Sequence, residues 1–295
     1  MNLSQLYYFK KLAELQHYTN AAKELYITQP SLSDSIASLE EELETKLFVK
    51  EGRNIKLTKI GREFYQYVCA SLNELDTGIA MVKEQAGGIG GTINIGCIPT
   101  LLSDFLPDAI QGYTTSKNPK AKINIFQGHS QPIIAGLKSG EYDIGFCSKY
   151  DNEPDIVFIP ITYQPFVVIV KTGHALSNRD TLHLEDLKPY TVLTYRESIP
   201  IGKNILPYLR ENKLNPAAQF DDELSIGGIV SSNNVVGIVA ETPYLRQFSN
   251  LMRIPLTGIP NDAHLVYMAY KKKTYISKAT ESFADYVVAT KLNLP

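Results

Sequence analysis

Gln29, Ser31, Ser33 and Asp34 gather short hydrogen-bonding side chains into six residues, directly after Thr28 and around Pro30. Such groups approach a polar edge closely, and Gln29 can donate and accept at once, which suits the edges of base pairs. Nothing in the sequence offers a comparable set for bond-breaking chemistry. His17, His174, His183 and His264 have no carboxylate or nucleophile set beside them by a motif, and His129 next to Ser130 is only a neighbour in sequence. No GxSxG, HExxH or phosphate-binding loop is present, so no catalytic residue and no cofactor is expected. Cys69, Cys97 and Cys147 are widely spaced and form no CxxC pair, which indicates neither a disulfide framework nor a metal site; buried reduced thiols are the plain reading.

The polar set needs a rigid carrier. Thr28 is a good helix N-cap, Pro30 suits a first turn, and Leu32, Ile36, Leu39 and Leu43 recur at helical spacing, so residues 27–43 read as an amphipathic helix. Residues 19–26 read as a shorter helix whose Ala21 and Ala22 let a neighbour approach closely, and the pair makes a helix-turn-helix. A first helix over Leu3 to Gln16, with Leu3, Leu6, Phe9, Leu12 and Ala13 inward, supports it. Two short alternating strands around Glu51 to Asn54 then read as a wing that offers Lys50 and Arg53 to a sugar-phosphate backbone. Thr58 caps a long helix to about Ala86, on which Phe64, Val68, Leu72, Leu75, Ile79 and Val82 form a near-heptad seam suited to pairing with a second chain. The run GGIGG at 87–91 ends that helix and reads as a hinge.

Ala21-Ala22, Thr28-Gln29-Pro30-Ser31-Leu32-Ser33, Leu39-Glu40, Leu47-Phe48 and Leu57-Thr58 with Gly61 resemble the DNA-binding signature of LysR-type transcriptional regulators. The resemblance implies a sequence-specific, dimeric or tetrameric regulator that binds double-stranded DNA at an A/T-containing interrupted dyad. Thr28, Gln29, Pro30, Ser31, Ser33, Asp34, Lys50 and Arg53 are its candidate DNA contacts. One departure stands out: the family usually carries basic residues on this helix where the chain has Asp34, Ala37 and Ser38.

Charge agrees with selective binding. The net charge is −2, and residues 1–65 hold nine Lys or Arg against nine Asp or Glu, which argues against indiscriminate coating of nucleic acid. A length of 295 residues with 44% hydrophobic and 20% charged residues suits two ordinary domains. No apolar run is long enough for a membrane span and no signal sequence is evident, so a cytoplasmic protein is expected.

From Thr92 onward, short apolar strands alternate with helices, the pattern of parallel α/β sheets with crossover helices. The fold class is therefore α/β: a winged helix-turn-helix over 1–58, a linker helix and hinge over 59–91, and a two-lobed effector part over 92–295. The resemblance, which extends to periplasmic-type binding proteins, implies two crossings between lobes, near Ile161 to Pro165 and near Asn261 to His264. Lobe 1 then takes about 92–161 and 265–295, and lobe 2 about 162–264.

Ligands of such sheets sit at strand carboxyl ends beside helix N-termini. Those ends are Ile98-Pro99-Thr100, Gly128-His129-Ser130, Cys147-Ser148-Lys149 and Arg196 through Ser198 to Gly202. Thr100, Ser130, Ser148 and the 198–202 loop also match segments that line the inducer cleft in the family. Lys149 or Arg196 could neutralise an anion, so the expected partner is a small anionic metabolite, with Glu197 leaving room for a zwitterion. A departure is Asn233-Asn234-Val235-Val236-Gly237, where the family has a glycine-rich join. Two alternatives stay open: a solute receptor, which residues 92–295 alone would suit, and a redox sensor built on Cys97 and Cys147.

Overall fold

The computed structural model describes residues 1–51, 54–85, 91–272 and 275–290. The chain forms two compact units, residues 1–89 with 135–142 and residues 90–134 with 143–295.

In the first unit, helix α1 (Leu3–Leu15) starts from a reciprocal cap: Asn2 accepts from the Gln5 amide at 3.0 Å while Gln5 accepts from that of Asn2 at 2.8 Å. Helices α2 (Tyr18–Glu24) and α3 (Gln29–Glu42) follow, joined through Tyr26 in the left-handed region at φ 56°. Ala21 and Ala22 are buried, so the small side chains serve the close packing that the sequence predicts. Phe9, Leu12, Leu32, Ile36, Leu39, Leu47, Val68 and Leu72 fill one core. Phe9, Leu12 and Ala13 of the expected inward face of α1 are buried and Leu6 packs against them; only its first position differs. Leu3 is exposed and Gln5 is buried, its amide reaching Ser38 Oγ at 3.4 Å.

Strands β1 (Phe48–Glu51) and β2 (Asn54–Leu57) pair antiparallel with Phe48 opposite Leu57, forming the wing. Gly52 and Arg53 lie outside the described residues, as do 87–90 of the glycine run. Helix α4 (Lys59–Gln85) has 27 residues, roughly 40 Å. Thr58 starts it, its hydroxyl accepting from the Gly61 amide at 2.9 Å and donating to Lys46 O at 2.9 Å. A Cβ on Gly61 would sit 2.2 Å from Leu47 O, so only glycine lets α4 leave the wing this closely.

The second unit holds two sheets. The first collects β3 (Thr92–Cys97), a short turn of helix at Pro99–Leu101, α5 (Phe105–Ser116), β4 (Lys122–Gln127), α6 (Ser130–Ser139), β5 (Ile144–Cys147) and β6 (Ile156–Tyr163). The second takes β7 (Phe166–Lys171), β8 (Leu182–His183), β9 (Val192–Tyr195), α7 (Pro200–Glu211), β10 (Ala218–Phe220), α8 (Glu223–Ser232), β11 (Val236–Ala240) and β12 (Leu251–Thr257). The chain then returns to the first sheet with β13 (Leu265–Lys271) and closes on α9 (Lys278–Ala289).

Sheet order is β4-β3-β5-β13-β6 in the first lobe and β10-β9-β11-β7-β12-β8 in the second. Neither sheet is wholly parallel, contrary to expectation: β13 runs against β5 and β6, and β7 against β11 and β12. The reason is connectivity. β7 and β13 are the strands that arrive directly from the other lobe, and a strand entering from the cleft must run away from it. Their neighbours end at that cleft instead.

Candidate functional site

Helix α3 carries the first candidate site. Thr28 caps it, accepting from the Ser31 amide at 3.3 Å, and Leu32, Ile36 and Leu39 anchor its inner face. Thr28, Gln29, Pro30, Ser31 and Asp34 are exposed and Ser33 is half-buried. Among the described residues, the side chains of Gln29, Ser31, Ser33 and Asp34 have no hydrogen-bond or ion-pair partner, so their polar groups are unspent.

The wing offers exposed Lys50, whereas Lys56 is held by Glu51 at 2.6 Å. Its position depends on a residue that the sequence places in the family signature without showing what it holds. Glu40 is buried, and one carboxylate oxygen accepts the amides of Leu47 at 2.8 Å and Phe48 at 3.1 Å. The other oxygen takes Lys46 Nζ at 2.7 Å. Glu40 thus ties the end of α3 to the first wing strand. Its signal is placement four residues after Ile36, on the inward face of the helix.

The second candidate site is the cleft where the strand ends of both lobes meet. Ser148, Lys149, Tyr150 and Asp151 after β5 line a cavity of about 160 Å³ with Pro200, Lys203 and Asn204 of α7 and Leu265 and Tyr267 of β13. Of the predicted cleft residues, Ser148 and Lys149 line this cavity. Ser130 stands behind them, its hydroxyl accepting the Ser148 amide at 3.1 Å. Thr100 accepts from the Gln164 side chain at 3.1 Å, and the Gln164 amide donates to His264 O at 3.0 Å, which stitches the two crossings together. Asn204 meets His264 Nδ1 at 3.0 Å. A chain of polar contacts therefore runs from Thr100 in one lobe to the first turns of α7 in the other.

Several expectations need correction. Arg196 is paired with Asp221 at 2.5 Å and Glu197 with Arg210 at 2.6 Å, so Arg196 has a carboxylate of its own and Glu197 takes neither Arg196 nor Lys149. Arg210 beside Glu197 holds that carboxyl below its usual range. Gly202 is buried, and a Cβ there would sit 1.9 Å from Arg196 O, so it lets α7 lie against its own entry loop and does not face the cavity. His129 and Ser198 are exposed, Gly128 is half-buried, Pro99 and Thr100 are half-buried, and Ile98 and Cys147 are buried; none of them lines the cavity. Lys203, Asn204 and Tyr267 escape a reading of the sequence, because which turn of α7 faces β5 depends on the packing of two lobes.

Three buried groups bear on the rival chemistries. Burial pushes the thiols of Cys97 and Cys147 up to about 12, with Cys147 adding to the effect on Cys97, so both stay protonated at neutral pH. Burial lowers His264 to about 4, so its ring is neutral at neutral pH, and Nδ1 accepts where the Asn204 side-chain nitrogen donates. Among the described residues no group of His, Cys, Asp and Glu could hold a metal ion, and no helix is long and apolar enough to cross a membrane.

This arrangement agrees with comparison to known proteins. The family description "Bacterial regulatory helix-turn-helix protein, lysR family" matches residues 3–62, and "LysR substrate binding domain" matches residues 86–291. The chain is similar to the uncharacterized HTH-type transcriptional regulator YybE of Bacillus subtilis, at 28% identity over 98% of this chain and 99% of that protein. Its fold resembles full-length CbnR complexed with its target DNA, with TM-score 0.74, 19% identity and coverage of 98% of this chain and 99% of that one. The chain also resembles the effector binding domain of QuiR in complex with shikimate, with TM-score 0.63, 27% identity and coverage of 68% of this chain and 97% of that one. A capped, unspent helix face beside a wing, followed by a two-lobed cleft, thus coincides with both family matches, and the chain belongs to the LysR family of DNA-binding, effector-responsive transcriptional regulators.

Proposed function

We propose that this regulator reads an A/T-containing interrupted dyad through Gln29 and Ser33 on α3, with Thr28, Pro30, Ser31 and Asp34 beside them and Lys50 and Arg53 on the backbone. It works in the cytoplasm as a homo-oligomer, catalyses no reaction, and is switched by a small anionic metabolite held between the lobes. The observation that carries the DNA reading is the set of exposed or half-buried polar side chains, unpartnered among the described residues, over a buried Leu32-Ile36-Leu39 anchor. The cleft reading rests on one cavity lined by residues of both lobes. Buried thiols with pKa about 12 favour ligand sensing over oxidation sensing, since oxidants react with thiolate.

Fluorescence anisotropy on the upstream region of its own gene tests the reading. Gln29→Ala should lose about 1–3 kcal/mol of discrimination between operator and scrambled DNA. Lys50→Ala should weaken both alike and reduce the salt slope by about one. Wild-type selectivity in the first variant would remove Gln29 from the reading face.

A further inference from the structure

We infer that the effector is a compact dianion, a short dicarboxylate or a phosphate, that bridges Lys149 and Lys203, and that without it these two lysines repel one another across the cleft and hold it open. The inference rests on the effector reading of the cleft and adds the ligand class and the means of closure. Lys149 follows β5 of the first lobe and Lys203 stands in the first turns of α7 of the second, yet both line the same cavity. Both are exposed, and among the described residues neither has a carboxylate within 4.0 Å.

Their neighbours are already balanced. Arg196 is held by Asp221 and Arg210 by Glu197. Lys203 adds only a minor attraction to Glu197, after that of Arg210. The remaining charge on the cavity wall is Asp151, which leaves the lining one positive charge in excess and the N-terminal end of α7 adding to it. Two unpaired cations, one on each lobe, resist closure until a ligand supplies negative charge to both. A monoanion satisfies one of them, and a neutral ligand neither.

Size narrows the class further. A cavity of about 160 Å³ is close to the roughly 150 Å³ that accepts a benzene-sized body, so the ligand has no more than about ten non-hydrogen atoms. Ser148, Asn204, Tyr150 and Tyr267 supply hydrogen-bonding groups around it, and Leu265 and Pro200 an apolar wall. Asp151 repels any anion that does not lie against the lysines.

The test works without the natural ligand in hand. Thermal melting of the full chain at low ionic strength is compared for wild type, K149E, K203E and K149E/K203E. Each single reversal should raise the melting temperature by a few degrees, because it places an opposite charge across the cleft; the double reversal should return it toward wild type. Shifts that simply add would overturn the inference. In parallel, malonate, succinate and inorganic phosphate should stabilise the wild type and bind at least tenfold tighter than acetate, and K149M or K203M should each lose at least tenfold of that affinity. Failure of all three dianions to bind would also overturn it. If a neutral cleft ligand changes operator affinity and both methionine variants keep that response, the effector reading stands and the dianion inference falls. If dianions bind through both lysines while operator affinity is unchanged, the ligand class stands and the regulatory role of the cleft falls.

Discussion

Glu40 shows how a single carboxylate can govern a binding surface it does not belong to. It satisfies two buried amides, of Leu47 and Phe48, and a buried donor left without an acceptor costs about 1–3 kcal/mol. Glu40→Ala should therefore lower the melting temperature of the DNA-binding head by several degrees and weaken operator and scrambled DNA together, since the wing loses its anchor while α3 keeps its side chains. Glu40→Gln, which retains one acceptor, should fall between the two. A head that melts as wild type in the alanine variant would show that the wing holds itself. At this scale the sequence is legible where a residue acts on its own helix, as with Thr28 capping α3 and Thr58 capping α4. It is silent where partners are distant in sequence, as for Gln164 with Thr100, or for Arg196 and Glu197 taking Asp221 and Arg210.

Helix α4 looks like one continuous seam in sequence and is two surfaces in the structure. Val68 and Leu72 are buried in the core of the head, with Phe64 packed against it, so that half of the stripe is not open to a second chain. Leu75, Ile79 and Val82 remain 40%, 43% and 61% exposed. Periodicity alone reports an apolar face and cannot say which neighbour covers it. The division separates two substitutions that the sequence would treat alike. Leu75→Glu with Ile79→Glu should yield monomers in a sedimentation run with the head still folded. Leu72→Glu should instead unfold the head, because a charge buried without a partner costs several kcal/mol. An unchanged mass in the first variant would move the dimer contact away from this helix. Strand identity in the second unit is similarly legible from the apolar runs, whereas strand direction is not. β6 gives no clear strand signal, with Pro160 set in it beside the register shift of β13, and β7 and β13 reverse because of where the chain crosses.

The two crossings make the pair of lobes one responsive body, and His264 sits where they meet. Its ring is buried and accepts from Asn204 of the cavity wall, while its carbonyl accepts the amide of Gln164, whose side chain reaches Thr100. Protonation would turn the acceptor Nδ1 into a donor facing an amide donor. Burial holds His264 at about 4 in the folded chain against 6.5 for an ordinary histidine. The unfolded chain therefore binds a proton that the native one refuses between those values, and the stability is present above pH 6.5 and lost as pH falls toward 4. The full shift corresponds to about 3 kcal/mol. Buried His174, also lowered, acts in the same direction. Asp143 and Glu223 are raised by burial and act in the opposite sense, gaining stability on acidification, so the histidine contribution must be isolated by substitution. Melting curves of wild type and His264→Gln between pH 7.5 and pH 5 do this. The variant should melt lower at pH 7.5, having lost a packed ring, yet fall less steeply on acidification, so that the gap narrows by several degrees at pH 5. Parallel curves would mean that His264 takes up its proton in the folded chain as freely as in the unfolded one, and that the junction of the lobes is open to water.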